Sequence, residues 1–168
     1  PSSSKVYDEM IGSTKDTCLL LGEDGIWQSA NGGMAWKKSL SSTAVYDMEY
    51  VNINTTYACA YSGIYKTTNN GNTWNKIAND TIYNISFINE NTGYGISYDK
   101  KIVKTTDAGL NWSAVIDLPW NEFGYLTDIV AYSNYIMVAC SSNYFTYVYS
   151  NDNGSNWFKY IDNTISFG

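Results

Sequence analysis

One eight-residue phrase recurs four times: SANGGMAW (Ser29 to Trp36), TTNNGNTW (Thr67 to Trp74), TTDAGLNW (Thr105 to Trp112) and SNDNGSNW (Ser150 to Trp157). All four fit Ser/Thr-x-Asp/Asn-x-Gly-x-x-Trp, and their tryptophans fall 38, 38 and 45 residues apart, at positions 36, 74, 112 and 157. Self-similarity at such a period marks a repeat array. Each unit is too thin to enclose a core and buries its apolar faces against its neighbours.

The phrase reads as a hairpin turn. A side-chain oxygen at the third position can accept bonds from backbone N–H groups ahead of it, closing an Asx-type turn. The glycine supplies positive φ without steric cost. The tryptophan opens the next strand, where its ring can wedge between units while its N–H finds a carbonyl. The pattern resembles the Asp-box, or BNR, repeat of sialidase-type β-propellers. That resemblance implies an all-β fold of β-propeller blades, four four-stranded antiparallel blades with Asp-box turns. It also puts the boxes away from any active site. The structural residues are then Ser29, Asn31, Gly33 and Trp36; Thr67, Asn69, Gly71 and Trp74; Thr105, Asp107, Gly109 and Trp112; and Ser150, Asp152, Gly154 and Trp157.

Aligned on the boxes, each repeat offers four strands with β-branched or aromatic enrichment, and no helical period competes. First strands start at Val6, Val45, Ile82 and Leu126, and second strands at Thr17, Thr56, Gly93 and Tyr135. Third strands (IWQS, IYKT, IVKT, YVYS) run into the boxes, and fourth strands start at the box tryptophans. The blades span about 5–41, 42–80, 81–119 and 120–162, all in one segment from 1 to 168. The tail DNTISFG echoes NDTIYNISF of the third repeat, so 163–168 is expected to open a fifth blade. This favours a piece of a larger propeller, or a chain that self-associates, over a closed four-blade ring.

Composition removes several function classes. The 168 residues contain no histidine, and all ten basic residues are lysine. Without arginine the chain lacks the guanidinium clamp that the resemblance to sialidases would imply. A net charge of −6 without a basic stripe argues against nucleic acid and anionic membranes. The photosystem II assembly factors that carry similar repeats have a basic patch with no counterpart here. No run approaches the length of a membrane span, and PSSSKVYDEM has no apolar signal core, so any export signal is expected to have been removed. An Asn/Thr/Tyr-rich surface points to an extracellular setting, on a cell or a virion. Cys18, Cys59 and Cys140 are either small buried hydrophobes or include one bridged pair, and their spacing does not suggest a metal site. No cofactor is implied.

On the propeller scheme, the fourth-to-first and second-to-third connections share the face opposite the boxes. Asp8, Asp47 and Asp128 then align early in the first strands, with Asn84 in the third repeat. Such carboxylates would gather cations or sugar hydroxyls, or would each bond the backbone of a neighbouring blade. The same face receives an insertion, IDLPWNEFG (Ile116 to Gly124), carrying Trp120, Glu122 and Phe123. Glu23, Asp24, Asp99, Lys100 and Asn143 sit in second-to-third connections. The binding candidates are therefore Asp8, Asp47, Asp128, Trp120 and Glu122. The expected function is a non-catalytic binding or structural propeller that recognises a glycan or a protein. The alternative is a fragment of a xyloglucanase-like glycoside hydrolase, whose carboxyl pair would have to lie about 5–10 Å apart across a sugar cleft.

Overall fold

The computed structural model describes residues 7–12, 15–22, 24–41, 44–116, 125–141 and 144–166. They form four four-stranded antiparallel sheets, each taken in chain order. The first holds β1 (Tyr7–Gly12), β2 (Cys18–Gly22), β3 (Gly25–Ser29) and β4 (Lys37–Ser41). The second holds β5 (Val45–Tyr50), β6 (Thr56–Ala60), β7 (Gly63–Thr67) and β8 (Asn75–Ala78). The third holds β9 (Ile82–Phe87), β10 (Gly93–Ser97), β11 (Ile102–Thr105) and β12 (Ser113–Ile116), and the fourth β13 (Tyr125–Tyr132), β14 (Tyr135–Ser141), β15 (Tyr144–Ser150) and β16 (Phe158–Ser166). Each sheet is one blade of the repeat read from the sequence. The chain divides into two compact units, Pro1–Tyr83 and Asn84–Gly168, with the division falling inside β9.

Each box closes the third-to-fourth strand turn by one repeated set of bonds. The glycine N–H donates to the first-position hydroxyl, at 2.8 Å for Gly33, 2.9 Å for Gly71, 3.0 Å for Gly109 and 2.8 Å for Gly154. That hydroxyl donates onward to Oδ1 of Asn31, Asn69, Asp107 or Asp152. The same oxygen takes the N–H of Ala35, Thr73, Asn111 or Asn156. The indole N–H of Trp36, Trp112 and Trp157 returns to its own box glycine's carbonyl. The turn's backbone N–H groups are thus drawn into one local network, which is why the phrase tolerates varied residues at its x positions.

In the first unit the second box also docks onto the blade before it. The Gly71 carbonyl accepts from Ser39 Oγ, which in turn accepts from Trp74 Nε1 at 2.8 Å. Gln28 Nε2 donates to the Asn70 carbonyl. Gly71 has φ +78, and a Cβ there would lie 2.5 Å from Leu19 Cδ2, so only glycine fits under the preceding sheet. Leu19, Leu21 and Ile26 of the first blade pack with Val45, Met48, Ala58 and Ala60 of the second in one buried cluster, with Trp74 against it. The second unit repeats the arrangement: Tyr94 Oη donates to the Asn153 carbonyl at 2.6 Å, and Lys104 Nζ to the same oxygen at 3.1 Å.

One expectation changes, and one alternative left open by the sequence is decided. Residues 163–166 do not open a separate strand. They continue β16, with Ser166 opposite Tyr144 across a register shift that lies between Tyr144 and Phe145. The cysteines are all free thiols. Burial pushes the Cys59 thiol well up, helped by the nearby charges of Asp47 and Glu49, and burial raises Cys140 to about 11. Cys59 thus behaves as a small core residue, and Cys140 is half-buried.

Trp74→Ala is expected to cost about 3 kcal/mol in urea melts, through the cavity between two blades. Trp74→Phe should cost only the indole bond to Ser39, about 1 kcal/mol. Boxes three and four add a pH dependence. Asn111 holds the Asp107 carboxyl low through side-chain and backbone bonds, and Asn156 does the same for Asp152, backbone bond first. A pKa depressed in the folded state stabilises at neutral pH and is lost as pH falls through the ordinary carboxylate value of about 4 and below. Urea midpoints should therefore fall below about pH 4, and less steeply in Asp107→Asn/Asp152→Asn.

Candidate functional site

The second-to-third connection of the third blade is a tight turn built on Ser97. The Ser97 carbonyl accepts the Lys100 N–H at 2.9 Å, with Lys100 at φ 64, and Ser97 N–H returns to the Lys101 carbonyl at 3.0 Å. Ser97 Oγ bonds the Asp99 carboxylate. That bond, with Lys101 Nζ at 3.0 Å, holds the Asp99 carboxyl below the usual carboxylate range. With Asp99 engaged by Lys101, the Lys100 ammonium lies over the Tyr125 ring, 4.4 Å from its centroid. Tyr125 is the first residue of β13, immediately after the insertion. The turn and the entry to the next blade therefore share one face in this unit, as the propeller scheme requires. Tyr98 and Tyr125 are both exposed there.

The first unit has a counterpart turn between β6 and β7, where Tyr61 is exposed and its N–H bonds the Ala44 carbonyl at 2.9 Å. Its β2–β3 turn is more self-contained. Asp24 takes the Lys38 ammonium at 2.6 Å and the Trp27 indole at 3.0 Å, with Lys38 also over the Trp27 ring.

The register corrects the row of carboxylates. Glu9 pairs with Leu21 as Asp47 pairs with Cys59 and Asp128 with Ala139, each just after a bulge. Glu9, not Asp8, is thus the equivalent of Asp47 and Asp128, and Asp8 falls at the bulge itself; its side chain lies outside the described residues. Asn84 shows what this position does between blades: its Oδ1 accepts the Ile129 N–H of the next blade at 2.9 Å. Asp47 is half-buried, whereas Asp128 is exposed, its Oδ1 accepting the adjacent Ile129 N–H. Trp120, Glu122, Phe123, Glu23 and Asn143 lie outside the described residues.

Tyr61, Tyr98 and Tyr125 escaped the sequence reading. A signal was present, because in AYSG and SYDK a tyrosine directly follows the apolar second strand, where a turn would favour Gly, Asn or Asp. Aromatic residues with a polar tip in that place suit recognition, since they give large contact area at small entropic cost.

Solved structures with this architecture are β-propeller proteins. The chain aligns with YCF48 from Cyanidioschyzon merolae at 14% identity and TM-score 0.69, covering 96% of this chain and 58% of that one. A structure described as YCF48 bound to D1 peptide aligns at 15% identity and TM-score 0.69, over 95% and 55%. The GH74 xyloglucanase from Xanthomonas campestris aligns at 12% identity and TM-score 0.67, over 86% and 28%. This chain thus spans little more than half of the YCF48 chains. No protein-family model matches it, and no curated protein matches it in sequence. Likeness at these identities establishes β-propeller blades. It leaves open which chemistry they carry, since enzymes and non-enzymes share them.

Proposed function

We propose that the chain is a non-catalytic Asp-box propeller module, displayed outside the cytoplasm, that recognises a protein or glycan ligand through the face opposite its box turns. The carrying observation is the exposed pair Tyr98 and Tyr125, with Lys100 held over Tyr125 at the point where the one insertion rejoins the blade. Tyrosine rings offer flat apolar area and a hydroxyl, the combination that both peptides and sugars engage. Trp120 and Glu122 precede Tyr125 in the insertion and lie outside the described residues. A propeller with bound peptide among the similar structures supports a protein ligand in particular. Against the hydrolase reading, the first-strand polar position serves blade-to-blade bonding at Asn84.

Screening on glycan and peptide arrays tests the reading. Tyr98→Ala/Tyr125→Ala is expected to abolish any signal the parent gives and to leave urea melts nearly unchanged, because both rings are exposed. Retention of the signal would place recognition elsewhere. Incubation with xyloglucan should give no reducing ends; turnover lost in Asp47→Asn or Asp128→Asn would replace the binding module with a hydrolase.

A further inference from the structure

The box turn of the first blade is more hollow than its counterpart in the third. Between β3 and β4 a pocket of about 300 Å³ is lined by Gln28, Ala30, Asn31, Ala35, Trp36 and Lys37. The same six positions of the third blade enclose a recess of about 170 Å³. The recess therefore belongs to the fold, and side-chain differences enlarge it in the first blade. Ala30 stands where the third blade has Thr106, and Ala35 where it has Asn111. One residue before the box hydroxyl, Gln28 takes the place of a lysine. Lys66 and Lys104 lie over the rings of Tyr57 and Tyr94, their cross-strand partners, whereas Gln28 pairs with Leu19.

These exchanges leave hydrogen-bonding capacity unfilled. In the other boxes the residue before the tryptophan bonds the side chain of the third box residue. Thr73 accepts from Asn69 Nδ2 at 2.9 Å, Asn111 Nδ2 donates to Asp107 Oδ2 at 2.7 Å, and Asn156 Nδ2 to Asp152 Oδ2 at 2.6 Å. Ala35 has nothing to offer, so Asn31 Nδ2 lacks a partner among the described residues, while Asn31 Oδ1 holds the Ser29 hydroxyl and the Ala35 N–H. Gln28 is buried, its Nε2 donates to the Asn70 carbonyl, and its Oε1 has no partner among the described residues. A buried acceptor in that state is costly until a donor reaches it. Gln28 and Lys37 both reach the second blade, Lys37 Nζ at 3.2 Å from Asn72 Oδ1. The pocket thus lies beside the second blade, within the unit that holds both blades.

We propose that this pocket binds an N-acetylated sugar residue. One unpartnered donor, Asn31 Nδ2, and one unpartnered acceptor, Gln28 Oε1, are the complement of an acetamido group, whose carbonyl accepts and whose N–H donates. The methyl groups of Ala30 and Ala35 supply an apolar lining for the acetyl methyl. A volume of about 300 Å³ stands at the lower end of small-ligand pockets and suits a single ring with its substituent. Among the described residues no carboxylate lines the pocket, and its one ammonium, on Lys37, is engaged by Asn72, so the site favours a neutral ligand. This inference does not rest on Tyr98 and Tyr125, which belong to the other unit.

Titration of isotope-labelled protein with N-acetylglucosamine tests it, read at the side-chain amide resonance of Gln28. The parent should shift saturably, and glucose, which lacks the acetamido group, should bind at least about tenfold more weakly. Two variants copied from the protein's other boxes remove the site and keep the turn. Ala35→Thr installs the bond that Thr73 makes with Asn69, and Asn31→Asp retains the acceptor that Asp107 and Asp152 use but has no N–H to donate. Each should weaken N-acetylglucosamine by about tenfold or more and leave the urea midpoint close to the parent's. Tyr98→Ala/Tyr125→Ala should leave the titration unchanged. A parent with no saturable shift overturns the proposal, and so does full binding by Ala35→Thr. Glucose bound as tightly as N-acetylglucosamine overturns the acetamido assignment. Equally tight binding of N-acetylglycine methylamide, an amide without a sugar ring, overturns the sugar in favour of a peptide.

Discussion

The structure depends on one glycine per repeat doing two things at once. Its positive φ lets the third strand reverse into the fourth, and its missing side chain lets that turn slide beneath the preceding blade. At Gly71 the two demands meet in the same few atoms: the N–H is held by Thr67 Oγ1, the carbonyl by Ser39 of the previous blade, and Leu19 fills the place of a side chain. Local turn chemistry and blade-to-blade packing are therefore not separable here. A substitution that spoiled the hairpin would also open the interface, and this coupling gives an array of thin sheets cooperative stability.

Period-two alternation then sorts every second strand into two interfaces. Residues in the phase of Leu19 and Leu21 face the following blade, and residues in the phase of Leu20 face the preceding one. β6 and β10 are buried at all five positions. β14 instead alternates, with Ile136 and Val138 buried and Tyr135, Met137 and Ala139 exposed. The sequence of β14 is as apolar as that of its counterparts. A strand built for burial on two faces is here covered on one.

Much of this was legible in the sequence. The boxes gave the strand order and the third-to-fourth turns, because they carry their own bonding network and do not wait on tertiary contacts. What failed was anything set by register. The bulge after Tyr7 moves Asp8 out of line and brings Glu9 into the place of Asp47, and no residue-type signal in VYDEMI announces a bulge. The tail failed for a related reason. ISF matches a first strand in composition, but β16 is free to run on opposite Tyr144 once another bulge adjusts its pairing. Binding residues were the least legible, since an exposed tyrosine and a core tyrosine look alike in a chain with sixteen of them.

That abundance has its own physical logic. The bare face of the fourth blade is covered in rings more than in branched aliphatics: Tyr147 stacks on Tyr160 at 5.0 Å between centroids, and Tyr149 on Phe158 at 5.4 Å. Stacked tyrosines bury much of one another while their hydroxyls stay in water, so the face costs less when open than one made of leucine and isoleucine would. The same rings lose little rotamer freedom when a partner arrives. Tyr94 shows the outcome on the third blade: its ring is fully buried against Gly154 and its hydroxyl donates to the Asn153 carbonyl. A residue of this kind suits both a solvent-facing position and one packed under a neighbouring blade.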